Sequence, residues 1–215
     1  MSKSEISTRE KILSKALEMF NERGVEYVGL RELAALLKMR VSNITYYFPI
    51  KDDLVNQLSL ELNELNSKVV VENKQITIRS FLEMLNLVFL NQIKYRCLLL
   101  SFVHLMSQNK PMSTRYPKTQ HNRNAALKSN LETMVHSGYL KLKDPEEIEF
   151  LVSALALIIR FWISEAAVSF RHLNPGEQVN HYLMMIVKLF MPYSTLKARK
   201  EFKQFTVQLN NVFPQ

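Results

Sequence analysis

The sequence predicts an all-α fold, with an N-terminal three-helix domain, a C-terminal helical bundle and about nine to ten helices in total. Apolar residues recur at the 3.6-residue period of an α-helix along almost the whole chain, and sustained two-residue alternation between turn signals is not found. The chain has 215 residues, of which 47% are apolar, so it can bury a core. Its four glycines are too scattered to form a phosphate-binding loop.

The first helix is predicted from residue 8 to residue 23. Ile12, Ala16 and Phe20 lie on one apolar stripe. Ser7 and Glu10 have the spacing of a capping box, and Gly24 stands where a left-handed C-terminal cap is expected.

Two short helices follow, at 30–37 and 42–48, and Pro49 ends the second of them. A longer helix is predicted at 51–69, where Asp52 and Asp53 in the first turn complement the helix dipole. We assign residues 1–50 to a helix-turn-helix domain with 51–69 as its linking helix, and residues 70–215 to a second domain.

The second domain is predicted to contain about six helices. Their expected ranges are 76–94, 96–108, 119–136, 146–171, 177–191 and 195–211. The runs Asp144-Pro-Glu-Glu147 and Asn174-Pro-Gly-Glu177 each provide an N-cap residue, a first-turn proline and a capping-box glutamate.

Two short helices joined by a tight turn are typical of a helix-turn-helix motif, whose second helix enters the major groove of DNA. Ile44, Tyr47 and Phe48 are spaced to bury this second helix. The residues left nearer the outside are Val41, Ser42, Asn43, Thr45 and Tyr46. An asparagine pairs with a base edge, hydroxyl groups reach bases or phosphates, and apolar groups touch thymine methyls. These side chains therefore suit the reading of a base sequence.

Positive charge is concentrated at the same place. Residues 38–51 contain three basic residues, Lys38, Arg40 and Lys51, and no acidic one, whereas the first 56 residues carry nine basic and eight acidic side chains. The net charge of +8 also favours a polyanionic partner. The alternative is an ordinary helical bundle in which Tyr46, Tyr47 and Phe48 are core aromatics.

The run Leu30-Arg-Glu-Leu-Ala34, followed by Ile44-Thr-Tyr-Tyr-Phe48-Pro-Ile-Lys51-Asp-Asp-Leu54, resembles the N-terminal domain of the TetR family of bacterial transcriptional regulators. The resemblance extends over residues 9–58. It implies that Tyr47 and Lys51 hold phosphates, that Val41, Ser42 and Asn43 face bases, and that Arg31 lies near the DNA backbone.

Three residues depart from the family pattern. Gly29 replaces a capping Thr or Ser, and Lys38 replaces a turn glycine, which requires a non-glycine residue at positive φ. Thr45 stands where a tyrosine is common, so the base contact expected there is in question.

The resemblance also implies a C-terminal domain that dimerises and holds a small-molecule effector. Residues 150–170 are apolar nearly all round, and with 179–191 they are expected to form a four-helix bundle across a homodimer. The alternative is a core helix of a monomer. The expected interface residues are Leu155, Ile159, Trp162, Tyr182, Met185 and Leu189.

An effector site is predicted from aromatic and polarizable side chains. Its candidate residues are Phe89, Phe102, His104, Met106 and Trp162. Residues 84–131 contain no Asp or Glu, so an anionic effector is one interpretation beside an apolar one. The alternatives are a solvated basic face and ordinary core packing.

The last predicted helix is basic and amphipathic, with Ala198, Phe202, Phe205 and Leu209 on one stripe. We expect it to pack on its own bundle; the alternative is a membrane-surface role. The apolar stretch at 150–170 is interrupted by Arg160 and Glu165, so we expect a buried helix and no membrane association.

Other classes of function have little support. The single cysteine, Cys97, and the widely spaced histidines give no metal-ligand pattern, and the sequence indicates no cofactor. No signal peptide is expected, and the cysteine content fits the cytoplasm. No nucleophile motif is present, so we expect no enzyme.

The sequence thus predicts a sequence-specific DNA-binding transcriptional regulator, a repressor that a small-molecule effector releases from a palindromic operator on double-stranded DNA. The alternative is a constitutive or architectural DNA-binding protein without an effector.

Overall fold

The structure, a computed structural model, describes residues 7–69 and 76–212, and within these ranges it is built of helices without a named β-strand. The elements are α1 (Thr8–Arg23), α2 (Leu30–Leu36), α3 (Val41–Tyr47), α4 (Lys51–Val69), α5 (Ile78–Lys94), α6 (Arg96–Leu100), α7 (Phe102–Gln108), α8 (Lys110–His136), α9 (Pro145–Ser169), α10 (Pro175–Phe190), a short 3-10 helix (Met191–Tyr193) and α11 (Leu196–Val212). The all-α prediction is confirmed.

The signals at the starts of α1 and α10 act as the sequence predicts. At α1, the Ser7 hydroxyl accepts from the Glu10 amide, and the Glu10 carboxylate accepts from the Ser7 amide. The same reciprocal pair forms between Asn174 and Glu177 at α10. At α9 the Asp144 side chain accepts from the Glu147 amide, but the Glu147 carboxylate accepts from the Lys143 amide, so the expected capping box does not form. Gly24 has the expected positive φ of 92°, but its ψ of 148° is extended, so α1 does not end in a left-handed helical cap.

Two segments of the second half differ from the prediction. The helix expected at 96–108 is interrupted at Ser101, giving α6 and α7. Helix α8 begins at Lys110 rather than at residue 119, because the Asn109 side chain accepts from the Met112 amide (3.0 Å) and caps the earlier start. Pro117 lies inside α8 and does not end it. A proline removes one hydrogen bond from a helix, and α8 continues through Pro117 without it.

The chain divides into two compact units. Unit 1 comprises the described residues of Met1–Leu65 together with Lys94–Tyr116. The helix-turn-helix residues Ile44 and Phe48 belong to the same buried cluster as Tyr95, Leu105 and Met112. Residues 94–116 therefore complete the core of the DNA-binding region, whereas the sequence placed them beyond a boundary at residue 70.

Unit 2 comprises the described residues of Asn66–Ile93 and Pro117–Gln215. Its core includes Phe81 and Phe190, whose ring centroids lie 5.9 Å apart. Helix α11 turns its apolar stripe inward: Ala198, Phe202 and Phe205 are at most 2% exposed. This burial confirms that the apolar stripe of α11 packs on its own bundle.

Helix α9 is buried only in part. It is long and apolar enough, by length and composition alone, to cross a membrane, a test that a core helix of a globular protein also passes. Only 33% of its most apolar stretch is buried, so the prediction of a buried helix holds for one face. The opposite face exposes Phe150, Leu157 and Val168.

Candidate nucleic-acid interface

Helix α3 has one buried face and one exposed face. Ile44 and Phe48 are 0% and 3% exposed, and they join Leu33 and Ala34 of α2 in the core of unit 1. Ser42, Asn43 and Tyr46 are exposed, Tyr46 by 80%. The recognition helix is thus fixed by its apolar side and presents its polar side outward.

The aromatic run at the end of α3 divides between the two faces. Phe48 is a core residue, but Tyr47 is 39% exposed. The prediction from helical spacing that Tyr47 is buried is therefore wrong. The ring of Tyr47 meets Tyr46 edge to face, with centroids 5.0 Å apart. Both tyrosines therefore belong to the outer face, where Val41 is also exposed.

The turn between α2 and α3 is built on Lys38. Its φ is 53°, which confirms the expected positive φ. The Lys38 amide donates to the Ala35 carbonyl (3.1 Å), and the Met39 amide donates to the Ala34 carbonyl (2.9 Å). This hydrogen-bond pair is a Schellman motif, which places the exposed Lys38 side chain directly before α3.

Exposed basic side chains precede the recognition helix along the chain. Arg31, Lys38 and Arg40 are all exposed, and Arg40 is the N-cap residue of α3. In contrast, Arg23 is paired with Glu32 across 2.5 Å, and this contact lowers the pKa of the Glu32 carboxyl. The negative charge of Glu32 at the start of α2 is thereby neutralised, which suits a phosphate backbone.

Lys51 has a role that the sequence did not predict. Its ammonium group donates to the carbonyl of Val25 (3.0 Å) and that of Glu26 (3.4 Å), so it holds the loop between α1 and α2. An ammonium group has three N–H donors, and the third remains for the expected phosphate. The Asp53 carboxylate accepts from the Ile50 amide and caps the same helix start.

Two further residues near the interface differ from the expectations. Arg9 was not identified from the sequence, and Thr45 was expected nearer the outside. The guanidinium of Arg9 lies 5.1 Å from the centroid of the Phe48 ring, which brings a charge from α1 to the end of α3. Thr45 is half-buried, and its hydroxyl donates to the Ser42 carbonyl (3.4 Å), so its hydroxyl is engaged within the helix.

Two asparagine side chains tie residues 94–116 to the helix-turn-helix part of unit 1. The Asn21 amide group donates to the Lys94 carbonyl (2.8 Å), and its oxygen accepts from the Cys97 amide (3.0 Å). Asn109, 1% exposed, donates to the Asp52 carbonyl (3.0 Å) at the start of α4. These contacts join residues that are distant in sequence, so no local sequence pattern predicts them.

The predicted effector residues do not lie together in one unit. Phe102, His104 and Met106 belong to unit 1, and His104 is exposed. Phe89 and Trp162 belong to unit 2, where their ring centroids lie 4.8 Å apart. Phe89 and Trp162 are therefore in contact within unit 2.

Half of the six predicted dimer residues are turned inward. Leu155, Trp162 and Tyr182 are at most 3% exposed, so they pack within unit 2 rather than against a partner. Ile159 and Leu189 are half-buried, and Met185 is exposed. A helix that is apolar nearly all round gives no periodic sign of which face meets its own core.

Within the described ranges, no group of three or more His, Cys, Asp and Glu side chains is placed to hold a metal ion. Cys97 is buried, and burial raises the pKa of its thiol to about 12. That cysteine is therefore a packing residue of unit 1.

A recognition helix held by its apolar side, with basic residues at its start, defines a helix-turn-helix DNA-binding protein. A family model described as bacterial regulatory proteins of the tetR family matches residues 12–58, and one described as a bacterial transcriptional repressor matches residues 62–202. The chain belongs to the TetR family of bacterial transcriptional regulators.

Individual relatives agree with this assignment. A probable HTH-type transcriptional regulator, YttP of Bacillus subtilis, is 35% identical over 65 residues, which is 30% of this chain and 31% of that protein. The chain spans less than a third of the length of the curated relatives it matches, the other being POU domain protein 1 of Dugesia japonica at 26% of its length.

Solved structures share the fold over nearly the whole chain. A TetR-family transcriptional regulator from Marinobacter aquaeolei VT8 has a TM-score of 0.85 at 20% identity, covering 94% of this chain and 98% of that one. A SmeT–triclosan complex has a TM-score of 0.62 at 13% identity, covering 89% and 93%.

Proposed function

We propose that this protein is a homodimeric repressor that binds a palindromic operator on double-stranded DNA and is released by a small-molecule effector. The observation that carries the proposal is the division of α3 into a buried apolar face, with Ile44 at 0% exposure, and an exposed polar face with Ser42 and Asn43. A protein acting on DNA works in the cytoplasm of a bacterium.

The exposed residues divide by the contacts their chemistry permits. Asn43 suits an adenine edge, and Ser42 and Val41 suit neighbouring bases. Tyr47, Arg31, Lys38, Arg40 and the third donor of Lys51 suit phosphates. Phosphate contacts position the helix, and the α3 contacts give the sequence preference.

The homodimer is supported by the exposed face of α9. Phe150, Leu157 and Val168 are 55%, 59% and 71% exposed, and Met185 of α10 is 39% exposed. Large apolar side chains exposed to this extent indicate an interaction surface. A second copy that covers them would form the expected four-helix arrangement through residues other than the buried Leu155 and Trp162.

The effector is supported by analogy with the SmeT neighbour, whose solved structure is a complex with triclosan. In this chain an effector would act by changing the separation of the two recognition helices, which must match half-sites one helical turn apart.

Selection from a random pool of double-stranded DNA, with the mass of the protein measured in solution, tests the proposal. We expect a palindromic consensus and the mass of a dimer. Asn43→Ala should lose about 1–3 kcal/mol of binding free energy, mainly at one base position. Asn122→Ala, which changes an exposed asparagine on α8, is the control and should bind as the parent does.

Binding without any consensus would overturn the specific-repressor proposal and favour the architectural alternative. Equal losses by Asn43→Ala on consensus and random DNA would remove Asn43 from the base-reading residues.

A further inference from the structure

Unit 2 contains a connected cluster of aromatic side chains. The Phe89 and Trp162 ring centroids lie 4.8 Å apart, and those of Trp162 and Tyr182 lie 5.4 Å apart. Tyr182 also lies 5.1 Å from His181 and 6.2 Å from Phe170. The cluster joins α5, α9 and α10, and the DNA interface does not use it.

The tryptophan of this cluster is fixed by a buried glutamine. The indole N–H of Trp162 donates to Gln92 Oε1 (2.6 Å), and Gln92 Nε2 donates to the Ile159 carbonyl (3.0 Å). Gln92 is 6% exposed, so both ends of its amide group are used inside the unit. The polar groups of Trp162 and Gln92 are therefore satisfied within the unit, and they hold the indole in place.

The hydroxyl of Tyr182, unlike the polar groups of Trp162 and Gln92, is not satisfied by a hydrogen bond within the described residues. The residue is 3% exposed, and its hydroxyl oxygen is buried without a hydrogen-bond partner among the described residues. Burial, reinforced by the charge of Glu165, raises the pKa of this phenol to about 12. The group thus stays protonated at physiological pH and offers a donor that native interiors almost always satisfy.

We propose that the Trp162–Tyr182 cluster is the effector site and that it takes a neutral aromatic molecule whose carbonyl or ether oxygen accepts from the Tyr182 hydroxyl. The inference rests on the proposed effector response. Neutrality is expected because Glu165 lies one helical turn after Trp162 on α9, and its carboxylate, which acts on the same hydroxyl, would repel an anion. The ring of the ligand packs on the aromatic side chains, and its oxygen gives it orientation.

Trp162 supplies a direct readout, because it is the single tryptophan of the chain. Protein labelled with fluorotryptophan gives one fluorine NMR signal, and three matched probes are titrated: acetophenone, ethylbenzene and benzoate. Acetophenone has the carbonyl, ethylbenzene lacks it, and benzoate adds a negative charge. We expect a saturable shift with acetophenone and a Kd about tenfold lower than for either of the others, as one hydrogen bond supplies.

Two tyrosine variants separate ligand binding from structure. Tyr182→Phe should abolish the preference for acetophenone over ethylbenzene, and its melting temperature should equal or exceed that of the parent. Tyr139→Phe is the matched control, because the Tyr139 hydroxyl already donates to Glu201 Oε1 (2.9 Å) in the same unit. It should lower the melting temperature and keep the preference.

The proposal is overturned by equal affinities for acetophenone and ethylbenzene, or by no saturable shift with any probe. It is also overturned if Tyr182→Phe lowers the melting temperature as Tyr139→Phe does, since the hydroxyl would then be satisfied without a ligand. The signal reports occupancy without DNA, so saturable binding beside a failed operator selection would refute only the repressor proposal.

Discussion

Lys38 occupies at the end of α2 the position that Gly138 occupies at the end of α8. Their φ angles are 53° and 72°. After Gly138, the Tyr139 amide donates to Met134 as the Met39 amide donates to Ala34. Both ends are Schellman motifs, but only one has the glycine that tolerates a positive φ without cost.

Replacing Lys38 by glycine should raise the stability of the protein and weaken its binding to DNA. The left-handed conformation costs a residue with a Cβ about 1–2 kcal/mol, of which the greater chain entropy of glycine offsets about 0.5–1 kcal/mol. We expect a net gain of about 0.5–1 kcal/mol in urea unfolding. The salt dependence of DNA binding should fall by about one phosphate contact. Lys38→Asn, which tolerates the same φ without the charge, should show the loss of DNA binding alone. A destabilised Lys38→Gly would contradict the conclusion that the positive φ strains Lys38.

Replacing Gly29 by serine should strengthen the start of α2. Gly29 is the N-cap residue, no side chain caps that helix, and a Cβ at this position meets nothing within 4 Å. A serine hydroxyl there would accept from the first-turn amides, adding a few tenths to about 1 kcal/mol to the free energy of unfolding. The same substitution at Gly138, where φ is 72°, should destabilise the protein. Equal effects at both positions would show that capping is not the cause.

Removing the side chain of Asn21 should loosen residues 94–108 from α1. Asn21→Ala leaves the Lys94 carbonyl and the Cys97 amide without this partner. The loss of one partly buried and one exposed hydrogen bond should cost about 1–2 kcal/mol. Hydrogen exchange of the Cys97 amide should accelerate, while that of α10 should not change. Asn21→Asp keeps the acceptor for the Cys97 amide, so its free energy of unfolding should lie between those of the parent and Asn21→Ala. Equal protection of the Cys97 amide in the parent and in Asn21→Ala would show that this contact does not hold the segment.

Lys51→Ala should affect both folding and DNA binding, since the ammonium group holds the Val25 and Glu26 carbonyls. Affinity for all DNA should decrease, and the salt dependence should fall by about one contact. Unfolding by urea should occur at a lower concentration as well. Lys11→Ala, which removes an exposed lysine of α1, serves as the comparison. A change in stability with an unchanged salt dependence would assign Lys51 to the loop alone.

The features that the sequence predicts correctly are local ones. The Ser7–Glu10 and Asn174–Glu177 pairs join residues three apart, so spacing alone identifies them. The outward position of Asn43 follows from helical period in the same way. The Asn109 contact with Asp52 crosses 57 positions, and no periodic pattern encodes it. The orientation of α9 was also not predicted, because either face of a helix with apolar residues on every side can pack on its own core.

The shared core of unit 1 sets an order of events during synthesis. Ile12 and Ile44 are made early, yet the cluster that buries them also requires Tyr95, Leu105 and Met112. The helix-turn-helix region thus leaves the ribosome with part of its apolar surface uncovered, and domains fold as units once their chain is complete. A protein truncated after α4 should therefore aggregate or bind chaperones rather than act as a miniature repressor, and translation through residue 116 is the step that makes the DNA-binding unit competent to fold.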